Sequence, residues 1–216
     1  EEFAKKNFEG KFNQEYISLW KEEIIKESQD CEGILSSITD KFDSDLILKL
    51  PSTIKIISNF AVGFGNIDIH VAKKRNIVVT NTPDVLTDAT AEIAMLILLG
   101  AARRAKEGFE WASKKNWKWS ADFLMGKELS GGRLGILGMG RIGRAVADRA
   151  RSFGMKIHYY NRSRLNKNLE KDSVYHKSLE SLLSVSDFFS INCPATKETK
   201  NIINRNTIKY FPDGAV

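Results

Sequence analysis

The sequence predicts an α/β protein with two domains, each built on a parallel sheet. Helix-like and strand-like segments alternate through the N-terminal part, and a second alternation begins at Arg133. This alternation is typical of parallel strands connected by helices. The 216 residues are long enough for two small hydrophobic cores. We therefore expect one domain over residues 1–87 and a second over residues 88–216.

The first domain is predicted to be a small α/β unit. Its predicted helices are Lys21–Gln29, Ser44–Lys49 and Ile67–Arg75, and its predicted strands are Gly33–Ser36, Lys55–Phe60 and Ile77–Thr80. Because Glu1 opens directly into helix-like sequence, we expect this domain to lack its first strand.

An apolar run predicts one long helix from Asp88 to about Trp111, buried where the chain crosses between the domains. The following segment, Ser113–Lys127, shows no clear periodicity and is predicted to be an ordered loop. Its aromatic residues are expected to pack locally, and a dimer contact is the alternative; they are Trp117, Trp119 and Phe123.

The second domain is predicted to contain two and a half strand–helix units. In chain order these are strand Leu134–Leu137, helix Arg141–Phe153, strand Lys156–Tyr160, helix Leu179–Leu183 and strand Asp187–Asn192. A turn at residues 212–214 leads into an apolar run that stops at Val216. We therefore expect this domain to be incomplete at its C-terminus and the chain to be truncated at both ends.

Composition argues against several classes of protein. The net charge is +6, but the lysines are scattered and frequently adjoin acidic residues, so nucleic-acid binding is not expected. The longest apolar stretch is far shorter than the roughly 20 residues of a membrane span. Cys31 and Cys193 lie far apart in no metal-ligand spacing, which predicts no metal and favours a reducing cytoplasm.

The segment Gly138-Met139-Gly140-Arg141-Ile142-Gly143 fits the pattern G-x-G-x-x-G. It follows a predicted strand and opens a predicted helix, which is the context of a Rossmann-type dinucleotide site. The first glycine allows a tight turn, the second lets the backbone approach a pyrophosphate, and the third allows close helix–strand packing. The helix N-terminus then offers free N–H groups to the phosphates.

The turn after the second predicted strand of this domain indicates the cofactor. A site that prefers NAD places Asp or Glu there to accept the ribose hydroxyls. This sequence instead has Asn161, Arg162, Ser163 and Arg164. Arginine and serine can donate hydrogen bonds to the 2′-phosphate of NADP, whereas a carboxylate would repel it. The turn therefore predicts NADP, with NAD possible, and a merely solvated basic turn is the alternative.

Four motifs in this order and spacing resemble the D-2-hydroxyacid dehydrogenase family. They are residues 59–68 (NFAVGFGNID), 79–83 (VTNTP), 90–92 (TAE) and the glycine motif. The similarity covers nearly the whole chain. Within the family, the Asn-Arg-Ser turn and the tryptophan-rich loop most resemble glyoxylate/hydroxypyruvate reductases, also described as D-glycerate dehydrogenases.

The resemblance implies a smaller flavodoxin-like substrate domain beside the Rossmann-type doubly wound domain. It implies that the N–H groups of Val62 and Gly63 bind the substrate carboxylate, which suits a concave turn of free amides. It also implies that Thr90 contacts the cofactor and that Cys193 and Pro194 run beside its adenosine half. Without the family, Cys193-Pro194 is equally well interpreted as a simple turn. A homodimer is implied as well.

The catalytic arginine, glutamate and histidine of the family are expected beyond Val216. None of His70, His158 and His176 matches the catalytic position, so we name no catalytic side chain and expect the isolated chain to be inactive. The resemblance implies reduction of glyoxylate or hydroxypyruvate with NADPH. The alternatives are a dehydrogenase of phosphoglycerate, D-lactate or 2-ketogluconate, or a corepressor-like protein that senses dinucleotides.

Overall fold

Two parallel sheets organise the chain, one in each of two units. The computed structural model describes residues 2–13, 17–114 and 118–216. The chain divides into unit 1, Glu1–Val85, and unit 2, Leu86–Val216. The division falls close to the boundary predicted at residues 87 and 88.

Unit 1 is a three-stranded parallel sheet with the strand order β1-β2-β3. Its elements are α1 Glu2–Asn7, α2 Lys21–Glu27, β1 Gly33–Ser37, α3 Ser44–Lys49, β2 Ile56–Phe60, α4 Ile69–Lys74 and β3 Val78–Thr80. The side chains of Asp43 and Asp68 cap α3 and α4 by accepting the N–H groups of Leu46 and Val71 at 3.1 Å. The predicted helices and strands of this domain are confirmed, with their ends shifted by one or two residues.

Unit 2 is a four-stranded parallel sheet with the strand order β6-β5-β4-β7. Its elements are α5 Thr87–Ala102, α6 Ala105–Ala112, β4 Arg133–Leu137, α7 Arg141–Ser152, β5 Lys156–Tyr160, α8 Lys167–Glu170, β6 Val174–Tyr175, α9 Leu179–Leu183, β7 Phe188–Ile191 and a 3₁₀ turn Ile208–Tyr210. After β4, the chain adds β5 and then β6 on one side of β4. It then returns and adds β7 on the other side of β4. The strand order therefore reverses between β4 and β7. Doubly wound sheets bind ligands at the carboxyl ends of the strands on either side of such a switch point.

The single long helix predicted from Asp88 to Trp111 is wrong, because the chain forms two helices. Arg104 between them is in the left-handed region with φ of 55°. The N–H of Lys127 donates to the carbonyl oxygen of Ala102 at 2.7 Å, so a returning loop caps the end of α5. The salt bridge between Arg104 and Glu107 (2.6 Å) then fixes the start of α6.

Helix α5 has two different faces. One face packs into the core of unit 2 through Ala91, Met95, Leu98 and Ala102. The opposite face exposes Ile93, Leu96 and Ile97, with relative exposures of 55%, 64% and 64%. In the single chain this helix is therefore buried on one side only.

No helix among the described residues is both long and apolar enough to cross a membrane.

An ion pair fastens β4 to the start of β7 at the amino end of the sheet. The guanidinium of Arg133 donates to both carboxylate oxygens of Asp187 at 2.8 and 3.0 Å, and the N–H of Arg133 donates to the same carboxylate at 3.0 Å. These hydrogen bonds from Arg133 lower the pKa of Asp187 to about 2.

We expect Asp187→Asn to lower the free energy of unfolding by about 2 kcal/mol at neutral pH. The folded-state pKa lies below its ordinary value of 3.8, so the stabilisation is complete above pH 3.8 and is lost as the pH falls toward 2. Urea unfolding between pH 2 and 7 measures this, and the two proteins should converge at the acid end. Asp213→Asn removes an exposed carboxylate of unit 2 that has no ion pair among the described residues, and should change little. A constant difference between wild type and Asp187→Asn across this pH range would contradict the assignment.

Candidate dinucleotide site and anion-binding loop

The glycine loop lies at the switch point of unit 2, where β4 and β7 end. Gly138 follows β4 directly and has φ of 93°. A Cβ atom on Gly138 would lie 2.5 Å from the backbone nitrogen of Cys193, just after β7. Only glycine therefore allows this turn and the contact with the segment after β7.

The other two glycines of the motif differ in what surrounds them. A Cβ atom on Gly143 would overlap the carbonyl oxygen of Gly138, so α7 packs directly on the loop. A Cβ atom on Gly140 would meet nothing within 4 Å. The N–H groups of Ile142 and Gly143, in the first turn of α7, have no hydrogen-bond acceptor among the described residues. Open space beside unused helix N–H groups fits a pyrophosphate.

Asn161 connects the end of β5 to the glycine loop. Its Oδ1 atom accepts the N–H of Met139 at 2.7 Å. The side chain of Met139 is buried in the core, with 1% exposure. Neither the amide nor the side chain of Met139 is thus open to a ligand, and Asn161 acts on the loop itself.

The remaining residues of the predicted basic turn fall into two groups. Arg162 and Ser163 are exposed, and neither side chain forms a hydrogen bond or salt bridge with any residue that the structure describes. Arg164 instead pairs with Glu170 at 2.9 Å. Arg162 and Ser163 are therefore the residues of this turn whose side chains have no hydrogen bond or ion pair within the part of the chain that the structure describes.

The other predicted cofactor residues are placed as follows. Arg141 is exposed at the start of α7. The hydroxyl of Thr90 donates to the carbonyl of Leu86 at 2.8 Å, within the first turn of α5. Cys193 packs beside Gly138, and burial raises the pKa of its thiol. The carbonyl of Pro194 accepts the hydroxyl of Thr199 at 2.6 Å, which shapes the segment after β7.

In unit 1, the loop after β2 presents free amides. The carbonyl groups of Ala61, Val62 and Gly63 are held by the Thr82 N–H, Asn81 Nδ2 and Asn59 Nδ2 at 2.9, 2.8 and 2.9 Å. Since C=O and N–H point in opposite directions across a trans peptide, the N–H groups of Val62 and Gly63 face away from these donors. No described residue accepts a hydrogen bond from either N–H. Such a turn can bind an anion such as a carboxylate.

Sequence reasoning missed the asparagines that orient this loop. Asn59 is fully buried on β2, where its Oδ1 accepts the Ser36 hydroxyl at 3.2 Å and its Nδ2 also donates to Asn66 at 3.1 Å. A buried asparagine at the end of a strand was the available signal, because a buried amide requires hydrogen-bond partners.

We expect Asn59→Ala to lower the free energy of unfolding by about 2–4 kcal/mol, since it removes several buried hydrogen bonds. The half-buried Asn81 donates one bond, so Asn81→Ala should cost about 1 kcal/mol. Urea unfolding gives the two values. Hydrogen exchange over residues 56–66 locates the effect in unit 1, and equal losses for both variants would argue against this network.

His158 and His176 form a pair in unit 2, with the Nδ1 of His158 and the Nε2 of His176 2.9 Å apart. The other ring nitrogen of His176 lies 2.8 Å from the Ser181 hydroxyl. Burial lowers the pKa of both histidines, so the neutral forms are favoured. No group of three or more potential metal ligands occurs among the residues described.

The fold and the glycine loop define unit 2 as a dinucleotide-binding domain, and comparisons identify its family. The family model of the D-isomer specific 2-hydroxyacid dehydrogenase NAD binding domain matches residues 95–216. The chain therefore belongs to the D-isomer specific 2-hydroxyacid dehydrogenase family, as its motifs indicated.

Named relatives support this membership. Glycerate dehydrogenase of Hyphomicrobium methylovorum is 42% identical over 90% of this chain and 62% of its own length. Glyoxylate reductase of Thermococcus litoralis is 41% identical over 93% of this chain and 64% of its own length. The structure of D-lactate dehydrogenase from Aquifex aeolicus, complexed with NAD and lactic acid, matches with a TM-score of 0.84 and 31% identity over 98% of this chain and 62% of that one. The chain thus spans somewhat less than two thirds of these relatives.

Proposed function

We propose that the protein reduces a small 2-keto acid, glyoxylate or hydroxypyruvate, to the 2-hydroxy acid with NADPH. The observation that carries the proposal is the turn after β5, where two exposed donor side chains stand in place of an acidic residue. We assign cofactor binding to unit 2 and substrate binding to unit 1.

Cofactor binding is supported by the chemistry of the glycine loop. The open space beside Gly140 and the free N–H groups of Ile142 and Gly143 suit the pyrophosphate, while Arg162 and Ser163 suit a 2′-phosphate. When bound, the nicotinamide supplies the hydride, and the protein's part is to bind and orient it. Thr90, Cys193 and Pro194 remain proposed contacts from the family resemblance.

Substrate binding is supported by the loop after β2. The free N–H groups of Val62 and Gly63 suit the carboxylate that every 2-keto acid carries. The names of the relatives from Hyphomicrobium methylovorum and Thermococcus litoralis favour glycerate and glyoxylate as the substrate class. We assign no proton-transfer step to a side chain of this chain.

Initial rates of the full gene product with glyoxylate and hydroxypyruvate test the proposal. Each acid is measured with NADPH and with NADH at the same ionic strength. Faster turnover with NADPH is the expected result. Turnover with NADH alone would keep the reaction and refute the cofactor assignment. Tight dinucleotide binding without turnover of any 2-keto acid would favour the dinucleotide-sensing alternative.

We also propose that the protein is a homodimer that pairs through α5 and the loop that follows α6. The exposed face of α5 carries Ile93, Leu96 and Ile97, and the loop exposes Trp119 (74%) and Met125 (68%). Phe123 of this loop instead packs edge-on against Trp111, with ring centroids 5.6 Å apart, while Trp117 lies outside the described residues. Exposed apolar side chains grouped in this way are typical of a contact surface.

Light scattering of the full gene product is expected to give twice the mass of one chain. Leu96→Glu should shift it to the monomer, because the variant would bury a charge in the contact. Lys74→Glu, on the exposed surface of α4 in unit 1, is the charge-changing control and should remain dimeric. A monomeric wild type would refute the proposed dimer.

The state of the two cysteines supports a proposal about the cellular compartment. Cys31 and Cys193 are both free thiols. Free thiols suit a reducing compartment, so we propose a cytoplasmic location.

A further inference from the structure

We propose that Arg164 controls cofactor selectivity without touching the cofactor. Together with Tyr159 and Glu170 it forms a brace that holds Arg162 and Ser163 in place to bind a 2′-phosphate. Arg164 is then a positioning residue, although its place in the basic turn suggests a phosphate ligand. The inference deepens the proposed use of NADPH and rests on it.

Arg164 and Glu170 are joined by two parallel hydrogen bonds. The Nε and Nη2 atoms of Arg164 donate to the two carboxylate oxygens of Glu170, each at 2.9 Å. This is the forked arrangement in which arginine binds a carboxylate most strongly. The pair leaves Nη1 without a hydrogen-bond partner among the described residues, but turning the guanidinium toward a phosphate would break both hydrogen bonds to Glu170.

Glu170 is almost completely buried. This residue is 4% exposed, and its Oε1 also accepts the hydroxyl of the fully buried Tyr159 at 2.7 Å. Hydrogen bonds from Arg164 and then Tyr159 lower the pKa of Glu170, so the carboxylate is charged. Moving Arg164 away would leave a buried charge without its cation, which is strongly unfavourable.

The turn is anchored on both sides of its exposed tip. Before the tip, Asn161 accepts the Met139 N–H at 2.7 Å. After it, the Leu165 N–H donates to the same Tyr159 hydroxyl at 3.1 Å. Arg162, Ser163 and Arg164 lie between these anchors, and because Arg164 is paired with Glu170, Arg162 and Ser163 form the exposed tip. The brace therefore restricts the two donors that the cofactor proposal needs, which lowers the entropy lost on binding.

Replacing Glu170 should change the affinity for NADPH in opposite directions, depending on whether Arg164 positions the turn or contacts the phosphate directly. If Arg164 were a phosphate ligand that Glu170 merely competes for, Glu170→Gln would release it and raise the affinity for NADPH. If the brace positions the turn, the same change loosens the turn and lowers that affinity. Glutamine keeps the shape, and its Oε1 can still accept from Tyr159 and from the Nε of Arg164. Its NH₂ group replaces the oxygen that accepts the Nη2 of Arg164, so the variant removes the charge and one of the two hydrogen bonds of the fork.

Dissociation constants of the full gene product for NADPH, NADH and 2′,5′-ADP test the inference, by calorimetry at fixed salt. We expect Glu170→Gln and Arg164→Ala each to weaken NADPH and 2′,5′-ADP binding by roughly tenfold, with NADH changed by less than about twofold. The double variant should be no worse than either single one. Arg164→Lys, which restores a cation beside Glu170, should recover part of the loss. Glu180→Gln removes an exposed glutamate of α9 without an ion pair among the described residues and serves as the matched control.

Three results would overturn the inference. They are tighter or unchanged NADPH binding by Glu170→Gln, additive losses in the double variant, and an equal loss of NADH binding. If Glu170→Gln does not fold, Tyr159→Phe decides, because it removes the hydroxyl that joins Glu170 to the Leu165 N–H and leaves Arg164 in place. A selective loss of NADPH affinity in this variant supports the brace, and an unchanged affinity overturns it. The wild-type chain reports on the proposed function separately. Equal affinity for both dinucleotides there refutes the cofactor proposal, and the inference with it.

Discussion

Gly138→Ala is expected to abolish dinucleotide binding and to destabilise unit 2 by about 3–5 kcal/mol. The added Cβ atom would lie 2.5 Å from the nitrogen of Cys193 and 2.8 Å from the carbonyl carbon of Asn192. These are backbone atoms that cannot rotate away, and the φ of 93° is itself strained for alanine. Small domains are stable by about 5–15 kcal/mol, so the loss is a large fraction of the total. Urea unfolding and NADH titration measure the two effects.

Gly140→Ala is the matched control for this prediction. Gly140 has φ of −75°, which alanine adopts readily, and a Cβ atom there would meet nothing within 4 Å. This variant should unfold like the wild type but bind dinucleotides more weakly, because the methyl group would occupy the space assigned to the pyrophosphate. Equal stability of the Gly138→Ala and wild-type proteins would show that the turn is more tolerant than its geometry indicates. Unchanged binding by Gly140→Ala would remove the pyrophosphate from this position.

The glycine loop was predictable because its signal is local. The tight turn, the close helix packing and the open middle position each depend on a few adjacent residues, and the pattern in the sequence specifies them. The helices and strands of unit 1 were predictable for the same reason, since caps such as Asp43 and Asp68 act within one turn.

The features that were not predicted depend on partners distant in the sequence. The break in the long helix depends on Lys127, which caps Ala102 from the far end of a loop. The roles of Asn59 and Asn81 depend on which carbonyl groups the fold brings to them.

Helix α8 and strand β6 were not predicted for another reason. They are four and two residues long, which is too short for a periodic pattern in the sequence.

Arg164 illustrates the same limit within the candidate site. The sequence presents Asn161 to Arg164 as one basic turn, and residue type alone does not separate its members. The fold separates them, because Arg164 pairs with the buried Glu170 while Arg162 has no ion pair among the described residues. Composition thus predicted the chemistry of the turn, but only the packing indicates which arginine is available.

Arg162→Ala is expected to weaken NADPH binding by roughly tenfold to hundredfold and to leave NADH binding nearly unchanged. A hydrogen bond between charged groups contributes about 1.5–3 kcal/mol, and each 1.4 kcal/mol corresponds to a factor of ten. The difference should shrink as salt is raised, because an exposed contact between charges is screened. Lys156→Ala removes an exposed cation at the opposite end of β5 and is the control for net charge.

Adding Asn161→Asp to Arg162→Ala should reverse the preference toward NADH. The Oδ1 of Asn161 holds the Met139 N–H at 2.7 Å, and an aspartate oxygen can accept the same bond, so the glycine loop should keep its shape. The new charge would repel a 2′-phosphate, while its second oxygen could accept the ribose hydroxyls of NADH. Titration of both dinucleotides against wild type, single and double variants measures the change. If all four proteins showed the same ratio of affinities, the turn after β5 would not distinguish the cofactors, and the preference for NADPH would have to be sought elsewhere in unit 2.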